Sequence, residues 1–281
     1  MLASAHGAEP HITSFWQPTS VPLRRRSWPC PAVVSPPPTV NRELPGASPR
    51  RVYRQHRGTS HKCTSGSAGT GDAILYSVPH ETNEEVRMKR VLLLLSNGFE
   101  AFEAAAFTDV LGFAGAFGEE EIEIVTVGMR PELQCTFGFK VIPAYQLDEV
   151  RNSEFDAVAI PGGFEAAGFY EDAYSDDFLD VLRRFAAEGK PIAAVCTGGL
   201  PVARSGVLQG RRATTYHLLN GKRRKAMGEM GAVVVDEAVV RDGSIVTSTS
   251  PATATDVAFT LLEMLTSPQN VATTRHMMGF S

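Results

Sequence analysis

Residues 191 to 199 read PIAAVCTGG, an apolar run that stops at a cysteine and continues in small, turn-forming residues. The pattern predicts a buried strand that delivers the thiol of Cys196 to a sharp strand-to-helix turn, the cysteine form of a nucleophile elbow. Ala194 and Gly198, two places either side, are small enough for the backbone to fold beneath an exposed side chain. A helix opening at Thr197 would set its positive end beside the sulfur and favour the thiolate, the nucleophilic form. Such a thiol attacks an electrophilic carbon and needs a proton partner and a pocket that stabilises negative charge. Glu100 and Glu103 follow another apolar run, Val91 to Leu95, and either carboxyl could share a proton with the sulfur. Partial desolvation would raise its pKa towards neutrality. Gly162 and Gly163 close a third β-rich run and offer unobstructed backbone N–H groups for an oxyanion pocket, completed by the N–H of Thr197. Each feature also has an ordinary reading. A buried cysteine is commonly packing, acids in a first helical turn suit its dipole, and Pro-Gly-Gly makes a tight loop.

These residues need a scaffold that brings three strand ends together. Val91–Leu95, Ile122–Val127 and Phe155–Ile160 are short, continuous apolar runs, as expected of parallel strands buried on both faces. Between them, Glu100 to Phe117 places Phe102, Ala106, Val110 and Phe113 or Ala114 near one face at helical spacing and closes at Gly118. Asp176 to Glu188 is an acidic amphipathic helix leading to the cysteine strand. Beyond the elbow the sequence predicts a strand over 212–216, a helix over 217–230, short strands over 232–235, 238–240 and 244–247, and helices over 252–265 and 271–278. The alternation implies an α/β fold, a parallel sheet with helices on both faces. All three candidate turns follow strands and should open at the carboxyl edge of the sheet, where ligands bind in such folds. The basic run Lys222-Arg223-Arg224-Lys225 reads as a solvated helix face. An isolated basic turn in an acidic domain is a poor nucleic-acid footprint, so nucleic acid is not expected as a partner.

The composition breaks near Met88. Residues 1–87 hold 11 of the 18 prolines and 10 Lys+Arg against 6 Asp+Glu, whereas residues 88–281 carry 17 against 25. The leader, rich in Pro, Ser and Arg, has no apolar period to bury and is expected to be disordered. Three readings of it stay open: a chloroplast or mitochondrial transit peptide, suggested by Arg24-Arg25-Arg26 in an acid-poor setting; a misassigned start, since Met88 directly precedes the first strand; or a basic tail. No run reaches the ~18 apolar residues of a membrane span. Cys30, Cys63, Cys135 and Cys196 show no C-x-x-C pairing, which argues against a zinc ribbon or a disulfide framework and for a reducing compartment.

Taken in order, Asn97-Gly98-Phe99-Glu100-Ala101-Phe102-Glu103, Ile160-Pro161-Gly162-Gly163, Ala193-Ala194-Val195-Cys196-Thr197-Gly198 and Ala213-Thr214-Thr215-Tyr216 resemble the DJ/PfpI family of the class I glutamine amidotransferase-like superfamily. The resemblance runs from about Lys89 to the C-terminal helices and implies a flavodoxin-like parallel-sheet sandwich over residues 88–281. It makes Cys196 the elbow cysteine and Glu103 the carboxyl that hydrogen-bonds it, with Gly162, Gly163 and Thr197 as oxyanion or substrate-binding groups. The peptidase branch has histidine after the cysteine, where this chain has Thr197, so peptidase activity is disfavoured. In the deglycase branch a histidine follows the Thr-Thr pair. Here Tyr216 stands in that place and His217 comes one later, so either is a candidate third group. The resemblance implies a glyoxalase III or deglycase-type enzyme acting on small reactive carbonyls with no metal or organic cofactor, dimeric and cytoplasmic. Its alternatives are a redox-responsive stress protein or chaperone with an oxidisable cysteine, and an isocyanide hydratase-like hydro-lyase.

Overall fold

The computed structural model describes residues 88–280, apart from 119, 121 and 152; the predicted leader lies outside the described residues. In chain order the strands are β1 (Lys89–Leu95), β2 (Ile122–Gly128), β3 (Leu133–Gln134), β4 (Lys140–Val141), β5 (Tyr145–Gln146), β6 (Ala157–Ile160), β7 (Ile192–Ala194), β8 (Arg212–Ala213), β9 (Val233–Val234), β10 (Val239–Asp242) and β11 (Ile245–Ser248). The helices are α1 (Ala101–Phe117), α2 (Leu147–Val150), α3 (Phe169–Ala173), α4 (Asp176–Ala187), α5 (Gly199–Arg204), α6 (Lys222–Glu229), α7 (Ala254–Leu265) and α8 (Pro268–Met277).

Seven strands form one sheet in the order β10-β11-β7-β6-β1-β2-β5. Every pairing is parallel except β10 with β11, which run antiparallel as a hairpin at one edge. The continuous apolar strands follow from burial on both faces. Leu92 and Leu94 pack with Val158, Ile160 and residues of α2 to α6. Val91, Leu93 and Leu95 pack with Ala157, Ala159 and residues of α1 and α7. No helix among the described residues is long and apolar enough to cross a membrane.

The topology fixes where a ligand can enter. From β1 the chain moves outward to β2 and β5, then returns to the other side of β1 as β6. That reversal leaves a crevice beyond the carboxyl ends of β1 and β6. The register brings Leu93 level with Ala159 and Ala159 level with Ala193, so β1, β6 and β7 end together.

Several expectations shift. In α1 the buried stripe is Glu103, Ala106, Phe107, Val110, Leu111 and Ala114, while Phe102 is mostly exposed. The predicted Ala106, Val110 and Ala114 are buried, but at the start of the helix Glu103 takes the inward place expected of Phe102 and carries a carboxylate into the core. The strand predicted over 212–216 keeps only Arg212–Ala213, paired with β9 outside the main sheet. The helix predicted from His217 starts at Lys222, because Leu219, Asn220 and Gly221 all have left-handed backbone, with φ of 54°, 58° and 66°. The β3–β4 hairpin, α2 and α3 were not foreseen from the sequence.

Candidate active site

Cys196 leaves β7 with φ 54°. Among the described non-glycine residues, this left-handed backbone is otherwise found only at Leu219 and Asn220. The conformation costs on the order of 1–3 kcal/mol and persists only where the surroundings enforce it. Two contacts do so. A Cβ on Gly198 would lie 2.8 Å from the Ile160 carbonyl oxygen, so only glycine allows the turn to press against β6. From the other side the buried Thr215 hydroxyl donates to the Cys196 carbonyl at 2.8 Å. Thr215→Val is therefore expected to destabilise the protein by about 1–3 kcal/mol, the cost of stranding a buried carbonyl, read as a lower melting temperature.

The β1 loop is stitched to the β6 loop. Glu100 donates its backbone N–H to the Gly162 carbonyl at 2.7 Å, and Phe164 donates to the Gly98 carbonyl at 3.2 Å. Asp172, almost buried, holds the loop from behind: it accepts from the Asn97 N–H at 2.8 Å and pairs with Arg130 through two nitrogens. Glu103 thus enters the site from the first turn of α1 with no exposed surface. Its Oε2 accepts the Gly162 N–H at 2.5 Å. Its Oε1 is buried with no conventional hydrogen-bond partner among the described residues, and the carboxyl interacts with the Cys196 thiol. A buried carboxylate oxygen in that position requires a proton, either its own or the thiol's.

Desolvation raises the Glu103 pKa to about 8, against a lowering by the Gly162 hydrogen bond. Burial pushes the Cys196 thiol up as well, and an ionised Glu103 pushes it further. The sequence-based expectation of a thiolate stabilised by a helix terminus is corrected here. The turn at Cys196–Gly198 is 3₁₀ and α5 has only six residues, so burial outweighs any dipole. Cys196 and Glu103 behave as one unit that keeps a proton. With Glu103 protonated, its repulsion of the thiolate vanishes and it can donate to sulfur.

The glycines play a different part from the one expected. The Gly162 N–H is taken by Glu103, and the Gly163 N–H is donated to Thr197 Oγ1 at 2.8 Å, while that hydroxyl donates to the Gly163 carbonyl at 2.8 Å. Neither is a free oxyanion donor in this state. The Thr197 N–H interacts with the Cys196 sulfur. Gly162 instead permits close packing: a Cβ there would lie 2.6 Å from Thr197 Oγ1 and 2.9 Å from Glu103 Oε2.

A cavity of about 190 Å³ opens over the thiol. It brings together Cys196, Glu103, Gly163, Thr197 and Tyr216, but His217 is exposed and does not line it. The sequence analysis missed Phe164, Glu165, Leu219, Arg223 and Pro251 as parts of its wall. Glu100 lines it too, with its pKa raised by desolvation. The reading of residues 222–225 as a solvated face holds for Lys222 and Lys225, which are exposed, and is corrected for the two arginines between them. Arg223 pairs with Glu165 at 2.9 Å and Arg224 with Asp236 at 2.7 Å, each with a quarter or less of its side chain exposed.

The crystal structure of Drosophila melanogaster DJ-1beta superposes with a TM-score of 0.62 at 27% identity, covering 69% of this chain and 100% of that one. The chain is 27% identical over 180 residues to a Caenorhabditis elegans protein, glutathione-independent glyoxalase DJR-1.2, covering 64% of this chain and 89% of the relative. It is 29% identical over 179 residues to isonitrile hydratase of Pseudomonas putida, covering 62% and 73%. The DJ-1/PfpI family model matches residues 89–264, and with four site loops on a shared fold the chain belongs to the DJ-1/PfpI family.

Proposed function

We propose that the protein is a cofactor-independent cysteine enzyme of the glyoxalase III or deglycase type, acting on small reactive carbonyls such as methylglyoxal or their early adducts. The observation that carries this reading is the buried, proton-sharing contact of Cys196 with Glu103 under a small cavity. Sulfur attacks the aldehyde carbon, an S–C bond forms, and the carbonyl electron pair moves to oxygen, which is protonated to give a hemithioacetal. Glu103 then moves a proton from that carbon to the neighbouring carbonyl carbon by way of the enediol, leaving a hydroxyacyl thioester. Water cleaves the thioester, releasing a hydroxy acid and restoring the thiol. The Thr197 N–H faces the developing oxyanion, and the Gly163 N–H joins it when the Thr197 hydroxyl turns away. Tyr216 closes the wall. The absence of histidine after Cys196 goes with non-peptidase chemistry. The test is lactate formation from methylglyoxal without glutathione: wild type is expected to turn over and Cys196→Ser to lose at least about 10³-fold. Wild-type inactivity contradicts the reading.

The isonitrile hydratase relative favours a second electrophile for the same thiol, hydrated rather than rearranged. Consumption of an isocyanide without methylglyoxal turnover would select it. A peroxide-sensing role is less well supported, because burial raises the thiol and sensing favours an exposed thiolate.

The same proposal includes a homodimer in a reducing compartment, the cytoplasm. The described thiols, Cys135 and Cys196, are free. Phe137, Phe139 and Ile142 on the β3–β4 hairpin are 76%, 73% and 78% exposed, a cluster of large apolar side chains suited to a self-association surface. Phe137→Ser with Phe139→Ser is expected to convert a dimer to monomer in light scattering; an unchanged mass rules out this surface.

A further inference from the structure

The cavity carries one fixed positive charge that the carbonyl chemistry above does not use. Arg223, from the first turn of α6, lines the same space as Cys196 and Thr197. Its guanidinium lies 5.4 Å from the centre of the Tyr170 ring and only 25% of its side chain is exposed, so packing and cation–π contact hold it in place. The Tyr170 hydroxyl is buried without a hydrogen-bond partner among the described residues, so no neighbouring group draws the ring away from this stack. The acidic partner of Arg223 is different. Glu165 is 62% exposed and comes from a single 3₁₀ turn, Glu165–Ala167. Ion pairs with a solvent-exposed member are weak and exchange readily. The arginine is therefore the anchored half and the glutamate the replaceable half.

We infer that Arg223 is a substrate-recognition residue, and that the site selects small electrophiles bearing a carboxylate, which displaces Glu165 from the guanidinium while the electrophilic carbon meets Cys196. The inference rests on the proposal that Cys196 is the attacking group and adds the substrate class. A cavity of about 190 Å³ is below the ~300 Å³ of pockets for larger ligands. One small molecule can therefore span thiol and guanidinium. Arginine suits this task because its planar fork takes a carboxylate through two parallel hydrogen bonds. Phe164, Leu219 and Pro251 add apolar surface at the mouth of the cavity, while Glu100 and Glu103 line it beside the thiol, so the guanidinium is the one cationic group of the lining that a carboxylate can meet. Oxo acids and aldehydes with an adjacent carboxylate fit this description; neutral aldehydes enter without the anchor.

The test uses iodoacetate and iodoacetamide, which present the same carbon to sulfur and differ in charge. In both, sulfur displaces iodide, an S–C bond forms, and the thiol proton passes to solvent. Alkylation of Cys196 in the full chain is followed by mass spectrometry, with Cys196→Ser as blank. Arg223→Gln is expected to lower the iodoacetate-to-iodoacetamide rate ratio at least about fivefold, and Glu165→Gln, on an exposed side chain, to raise it about twofold. Salt at high concentration should shrink the wild-type ratio. A ratio unmoved by either substitution overturns the inference. Alkylation by neither reagent overturns it together with the catalytic reading, whereas methylglyoxal inactivity with the expected ratios sinks the catalytic reading alone.

Discussion

Glu103→Gln is expected to lower the turnover of small aldehydes by about 10²–10⁴-fold, the range for loss of a positioned acid–base group, and at the same time to stabilise the protein at alkaline pH. The second effect follows from the pKa. Glu103 titrates at about 8 in the folded chain against 4.5 for a free side chain, because its charged form is desolvated. Between those values the native state holds a proton that the unfolded chain has released. The stability associated with this group is fully present below about pH 4.5 and is lost as pH rises through 8. At pH 9 the loss is on the order of several kcal/mol. Glutamine keeps the shape and an oxygen acceptor for the Gly162 N–H but has no charge to bury. Its melting temperature should exceed that of wild type by about 5–10 °C at pH 9, and the difference should shrink towards pH 5. Wild-type turnover should fall above pH 8 as the pair gives up its shared proton. An equal melting temperature at both pH values would show that the carboxyl is not buried neutral.

Gly163→Ala is expected to cost about 3 kcal/mol or more, with a fall in melting temperature of about 6–12 °C. A Cβ on Gly163 would lie 2.3 Å from the Gly98 carbonyl oxygen and 2.3 Å from Phe169 Cδ2. Neither can yield easily. Gly98 is backbone with φ +72°, its own Cβ space filled by the Ala167 carbonyl, and Phe169 is fully buried. The bridge between Phe99 and Gly163 would part, and with it the hydrogen bonds that hold the Glu103 loop to the β6 loop. Gly112→Ala is the opposite case. It lies in the exposed face of α1 with nothing near its Cβ, and alanine there should stabilise the protein by about 0.5–1 kcal/mol. Similar melting curves for the two variants would contradict the packing described at Gly163.

Much of the sheet could be read from the chain because its strands are buried on both faces and write themselves as apolar runs. The order of those runs also placed Cys196, Gly162 and Gly163 at one edge. Glu103 came from the resemblance. The residues alone left it level with Glu100, and the predicted face of α1 ran through Phe102, so the carboxylate in the buried stripe beside Ala106, Phe107 and Val110 was not read from the helical spacing. Three things could not be read. Which backbone donors are free depends on tertiary hydrogen bonds, and the Gly162 and Gly163 N–H groups were matched to ligand when the protein itself uses them. The rotation of α6 depends on contacts of Arg223 with Glu165 and Tyr170, distant in sequence, so a basic run looked solvated. Two-residue strands such as β3 and β4 are too short to leave a period. The start of α6 was different: Asn220-Gly221 is a turn signal that the surrounding helical pattern obscured.

The central claim is that Cys196 becomes bonded to carbon of the substrate while Glu103 carries the proton. Mixing the full chain with methylglyoxal, quenching in acid within one turnover and measuring intact mass tests it most directly. The account expects one hydroxyacyl thioester, located at Cys196 by peptide mapping, absent from Cys196→Ser and strongly reduced in Glu103→Gln. Lactate formation with no adduct at Cys196, or an adduct that forms equally fast in Glu103→Gln, would contradict it.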